Sequence, residues 1–179
     1  MSKREGNFVL VSDILPKVGK DVLRFFMLTR KNDAHLDFDL EKSLQETNDN
    51  PSFYVQYAYA RINSILRTIK KNLNDQIEVN SKSFHINDYE EIILRKIFEW
   101  PKVIESAAYK LEPHKIPFYL YELSTVFHSY WSKGNEDDKF KFIENGKVKR
   151  EEILIFLYLV SIVIRNGMKI LGVSLPEKM

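Results

Sequence analysis

Apolar residues recur at intervals of three and four along most of this chain, the spacing of an amphipathic helix. The clearest run is "PSFYVQYAYARINSILRTIKKNLN", Pro51 to about Asn74, where Val55, Ala58, Ile62, Ile65, Ile69 and Leu73 lay one stripe. Asn50 is expected to cap it, with Pro51 at the first helical position, where its missing N–H is not needed. Upstream, "PKVGKDVLRFFMLTR" sets Val22, Phe25, Phe26 and Thr29 on one face, behind Gly19. "HLDFDL" alternates, and reads either as a short extended piece or as a turn in which Asp37 or Asp39 caps the next helix. Downstream of a loop, "NDQIEVNSKSFHIND", Asp88 is the expected cap of "YEEIILRKIFEW". Pro101 then kinks that helix or opens a continuation, "KVIESAAYKLEP". "HKIPFYLYELSTVFHSYWSKG" carries Leu120, Leu123, Phe127 and Trp131 on one face, with Gly134 as its stop. In the polar stretch "NEDDKFKFIENGKVKR", Asn145-Gly146 is a tight-turn signal. A last helix runs from about Lys149 to Leu171, with Gly172 as terminator.

The expected fold class is therefore all-α, a helical bundle. A shift in composition divides a short helical segment, residues 1–47, from a bundle of residues 48–179. The most apolar run, Ile153 to Ile164, has 12 residues and close charged flanks. It falls short of the ~20 that span a bilayer and reads as the centre of the bundle.

Composition narrows the chemistry. With 44% hydrophobic and 29% charged residues in 179, a packed core is expected, in one domain or one domain with an appendage. No cysteine is present, which excludes disulfides and thiolate sites and fits a reducing compartment. The net charge of +2 carries no argument by itself, so any electrostatic case rests on local clustering. There is no G-x-S-x-G, P-loop or H-E-x-x-H. Glu90-Glu91 and Glu151-Glu152 fall in first helical turns, where carboxylates favour the positive end of the dipole. His35, Asp37 and Asp39 would share one side of an extended strand and could hold a metal; the competing reading of such aspartates is helix capping.

The Pro51 helix also has a second face. Tyr54, Tyr57, Arg61, Ser64 and Thr68 follow at spacings of three and four, and no acidic residue stands between Tyr54 and Asn74. Rings, guanidinium and small hydroxyls in a row suit single-stranded RNA, whose splayed bases stack on flat groups while cations meet phosphate. The plainer reading is a solvated face with tyrosines tucked against neighbouring helices. "FHSYWSKG" adds four ring-bearing residues within five positions, more than one packed face needs.

Four stretches together carry a family resemblance. "MSKREGNFVLVSDIL", "GKDVLRFFMLTRKNDAHLDFDL", "NDNPSFYVQYAYARINSIL" and "IRNGMKILGVSLPEKM" resemble the C-terminal part of bacterial-type arginyl-tRNA synthetases, class I enzymes. In order, they resemble the KMSKS loop, the stem-contact segment, the opening helix of the DALR anticodon-binding domain, and the family's C-terminal end. The resemblance implies a piece of a longer enzyme that attaches arginine to tRNA using ATP and Mg. This piece, lacking the nucleotide-binding fold, is expected to be inactive alone and to hold no cofactor or metal itself. Ser2 and Lys3 would belong to the loop that stabilises the ATP phosphates. The motif's first lysine is absent, and Arg4 stands where its last serine would be. Tyr57, Phe127, Trp131 and Met179 match family residues at the anticodon loop, with Arg61 and Asn166 as weaker correspondences. Some members carry tyrosine where Phe127 stands. The implied partner is arginine tRNA, through its anticodon loop and inner stem, for a cytoplasmic, membrane-free monomer. The alternative reading is a protein-interaction or general RNA-binding bundle outside any synthetase.

Overall fold

The computed structural model describes residues 10–31, 33–35, 38–71, 73 and 85–179. Six helices account for most of them: α1 (Val11–Leu28), α2 (Leu40–Ser43), α3 (Pro51–Thr68), α4 (Asp88–Tyr109), α5 (Lys115–Glu136) and α6 (Glu152–Leu171). Between α5 and α6 lie a 3-10 turn, Asp138–Phe140, and a two-stranded hairpin, β1 (Ile143–Glu144) against β2 (Lys147–Val148). The fold is all-α, as the spacing predicts.

Helix α5 packs on α3, α4 and α6, while α6 also touches α1, α3 and α4. The stripe of α3 meets that centre: Val55, Ala58, Ile62 and Ile65 are buried, as are Leu120, Leu123 and Phe127 of α5. The α6 helix is 20 residues long, so its length and apolarity would suit a membrane span. Its burial inside the bundle accounts for that composition instead, with Leu157, Val160, Ile164 and Met168 all inaccessible. A chain this rich in leucine, isoleucine and valine on every side is stable only where other helices cover it.

Several element ends differ from the sequence reading, each for a local reason. Helix α1 starts earlier than expected, and Gly19 breaks it from within, at φ 79. That left-handed conformation costs glycine little and other residues more. Helix α3 stops at Thr68, short of Asn74, where Lys70 turns to φ 57. Asn87, not Asp88, caps α4: its side chain accepts from the Glu90 N–H while Glu90 reaches back to the Asn87 N–H. Pro101 lies inside α4, which continues through it to Tyr109. Gly134 does not end α5. It is buried because the carbonyl of Phe140 passes 3.0 Å from where a Cβ would stand, so the glycine makes room for the 3-10 turn. Asn145 (φ 51) and Gly146 (φ 72) form the expected tight hairpin turn.

Asp39 resolves the choice left open for "HLDFDL": its carboxylate accepts from the Lys42 N–H at 3.0 Å and caps α2. Among the described residues no cluster of histidines and carboxylates could hold a metal ion. Asp37 lies outside them.

Candidate nucleic-acid interface

The outer face of α3 looks across to the C-terminal half of α5, and a cleft of about 500 Å³ opens between them. Tyr57, Arg61, Ser64 and Thr68 come from α3, Trp131 from α5, Ile143 from β1, and Lys178 and Met179 from the C-terminal segment. The two aromatic stretches singled out in the sequence thus meet in one place. Arg61, Arg67 and Lys178 are the charged side chains of the lining, and none of the lining residues is acidic.

Tail contacts bring Met179 there. Gln56 donates to the carbonyl of Ser174 at 2.9 Å, and Arg67 donates to that of Glu177 at 3.0 Å. Both donors stand on α3, so the segment after α6 is laid along the helix whose face lines the cleft. Met179 ends half exposed at 53%.

At the centre is Arg61. Its Nη2 donates to the Tyr57 hydroxyl at 2.7 Å, and its Nη1 lies 2.9 Å from His128 Nδ1. The guanidinium carbon stands 4.4 Å from the Tyr57 ring centre and 5.3 Å from that of Trp131, within cation–π reach of both. Arginine has no acceptor, so Nδ1 of His128 must be bare, and the ring proton sits on Nε2. There it faces the backbone carbonyl of Tyr54 at 3.3 Å. Burial holds this imidazole neutral, pushing its pKa down to about 4, with the Arg61 charge adding to the same effect.

The other expected site residues fall differently. Phe127 is 1% exposed and is not at the cleft surface. Its ring packs edge-on against Phe142, which in turn meets the Trp131 indole at 5.4 Å. Phe127 therefore supports Trp131 from beneath and offers no face to a ligand; the expectation of a paired stacking surface is corrected to one ring on a buried aromatic base. Asn166 is exposed on α6 and does not line the cleft. Tyr54 packs against Tyr121 and His128 rather than facing the opening. The Thr68 hydroxyl is occupied by the Ser64 carbonyl at 2.9 Å. Ser2 and Lys3 lie outside the described residues. Sequence reasoning counted the His128 ring among the four of "FHSYWSKG" without giving it a role, and missed Phe142 altogether. One is a histidine beside a core phenylalanine; the other lies in the polar stretch beyond α5.

Known proteins are similar to this chain along its whole length. It is 48% identical to the arginine–tRNA ligase of Pelagibacter ubique over 179 residues, all of this chain and 31% of that protein. It is 45% identical to the arginine–tRNA ligase of Ruegeria pomeroyi, covering all of this chain and 32% of that one. The chain thus spans about a third of the length of these relatives. A crystal structure provisionally assigned as an arginyl-tRNA synthetase from Campylobacter jejuni superimposes with a TM-score of 0.80 at 30% identity, over 99% of this chain and 37% of that one. The Thermus thermophilus arginyl-tRNA synthetase shares the fold at a TM-score of 0.67 and 22% identity, over 99% and 29%. The family model of the DALR anticodon binding domain matches residues 55–179, a span that holds every residue lining the cleft, and the chain belongs to that family.

Proposed function

We propose that this chain is the C-terminal, tRNA-binding part of an arginine–tRNA ligase, and that the cleft between α3 and α5 receives bases of the anticodon loop of arginine tRNA. One observation carries the reading: Tyr57, Arg61, Trp131 and Met179, from three separate stretches, converge on one cleft with basic and no acidic lining residues. Its 500 Å³ falls within the ~300–1,000 Å³ of ordinary ligand pockets. Unstacked bases gain from flat rings and a guanidinium plane, and Arg67 and Lys178 stand at hand for phosphate. Residues 48–179 form the anticodon-binding unit, and residues 1–47 the stem-contact segment with a remnant of the ATP-phosphate loop at Ser2 and Lys3. Arginine activation with ATP and Mg, in the cytoplasm, belongs to the longer enzyme.

Titration of the chain with an anticodon stem-loop of arginine tRNA tests the reading. Affinity should exceed that for a stem-loop of scrambled loop sequence, and should fall steeply with added salt, because releasing the counterions of the phosphates gains less as salt rises. A surface built to dock another protein's apolar helix would respond little to salt. Binding insensitive to both loop sequence and salt would overturn the assignment.

A further inference from the structure

We propose that His128 is a positioning residue for RNA recognition: its bare Nδ1 fixes the Arg61 guanidinium, so that a base entering the cleft meets preset N–H donors beside the Tyr57 and Trp131 rings. This rests on the anticodon-loop reading above and extends it to a residue that does not line the cleft.

Arginine is a flexible side chain, and a guanidinium left free would have to be ordered at the moment of binding. Holding it beforehand removes that cost. Proteins commonly hold arginine with a carboxylate, yet a carboxylate here would cancel the charge that the cleft presents to phosphate. No acidic side chain lines this cleft, and Arg61 forms no ion pair with a side chain among the described residues. Two neutral acceptors do the holding, His128 Nδ1 at 2.9 Å and the Tyr57 hydroxyl at 2.7 Å. The full positive charge therefore remains available. One N–H on each terminal nitrogen is used in this way. The other N–H on each, with Nε–H, has no protein partner among the described residues, and these donors suit the carbonyl oxygens and ring nitrogens on base edges.

The acceptor is itself immobile. His128 is 6% exposed, with its Nε2 proton on the Tyr54 carbonyl. Its ring lies 4.5 Å from that of Tyr54, 5.6 Å from Tyr57 and 5.6 Å from Phe127. A buried neutral imidazole wedged by three rings can neither swing away nor exchange its acceptor for a donor without breaking the Tyr54 contact. Phe127 thus acts on the cleft twice, under Phe142 and beside His128, without touching a ligand.

The test compares His128→Phe, which keeps a ring and loses the acceptor, with His128→Asn, which returns an acceptor near the Nδ1 position. The 179-residue chain is titrated with the anticodon stem-loop of arginine tRNA at fixed salt. His128→Phe should weaken binding about tenfold, the scale of one hydrogen bond to a charged group. His128→Asn should recover most of that loss, and His128→Phe should have no further effect once Arg61→Gln is present. Nitrogen-15 spectra of the free wild-type chain supply a readout independent of any variant's folding: the Arg61 guanidinium resonances should be resolved and rotate slowly. Fast rotation in the wild-type chain would overturn the proposal, as would equal affinity of wild type and His128→Phe, or failure of His128→Asn to rescue. Wild type that binds the stem-loop while His128→Phe binds equally removes this inference alone; wild type indifferent to loop sequence removes the functional reading and this inference with it.

Discussion

Phe127 and Trp131 stand four positions apart on one face of α5, yet their rings meet different surroundings one turn along the helix: one lies 1% exposed under Phe142, the other is part-exposed at the cleft. Truncating them should therefore separate stability from recognition. Trp131→Ala is expected to cost about 1–3 kcal/mol of stem-loop affinity, the scale of one base–aromatic contact, with a smaller change in unfolding free energy. Phe127→Ala is expected to cost about 3–5 kcal/mol of stability, the range for a fully buried phenylalanine. Parallel urea unfolding and stem-loop titration of both variants check the contrast. His128 adds a pH signature. Burial lowers its folded pKa to about 4 from an ordinary 6.5, so between those values the unfolded chain binds the proton and the folded chain does not. This contribution is complete above pH 6.5 and is lost as pH falls toward 4, on the order of 3 kcal/mol in all. Replacing His128 with Phe should flatten that part of the stability profile, measured by urea unfolding at successive pH values.

Element boundaries show what local sequence can and cannot reveal. Asn50 is legible as a cap because its chemistry is local: its side chain accepts from the Phe53 N–H at 3.2 Å, ahead of Pro51. Its second role is not legible, since Nδ2 donates at 2.9 Å to the Ser43 carbonyl at the end of α2, a contact made only after the chain turns back. Asn50→Asp should thus keep the cap and lose the tether, whereas Asn50→Ala loses both. Urea unfolding should rank the alanine variant lower, with about 1 kcal/mol for the cap and a similar amount for the tether. Gly134 misleads for the same reason. Glycine signals a helix end when its backbone freedom is used, but here the backbone of Phe140 needs the space. The site divides in the same way. Tyr57, Arg61 and Trp131 stand out through side-chain type at helical spacing, and they do share the cleft. His128 and Phe142 act through contacts with residues far away in the chain, which periodicity along one helix cannot reveal.

At the scale of the whole molecule, one buried carboxylate links the helices that support the cleft. Glu90 is inaccessible to solvent, yet it accepts from the Asn87 N–H at 2.9 Å and from the Tyr130 hydroxyl at 2.7 Å, and it pairs with Arg150 just ahead of α6. Arg150 also donates to the His85 carbonyl at 2.9 Å. The network thus joins the start of α4, the cleft helix α5 and the entry to α6. Burial, reinforced by the Glu90 bond, pushes the Tyr130 phenol up to about 12, so it remains a donor across the physiological range. A buried ion pair adds little net stability compared with an apolar pair, but removing one partner strands the other's charge. Arg150→Met should accordingly cost about 3–5 kcal/mol of unfolding free energy. Adding Glu90→Gln should return part of that loss, because a neutral amide can still accept from Tyr130 and leaves no charge unpaired. Scanning calorimetry of the two single variants and the double variant decides the matter. A double variant less stable than Arg150→Met alone would mean that Glu90 acts chiefly as the reciprocal cap of α4, with Arg150 incidental to it.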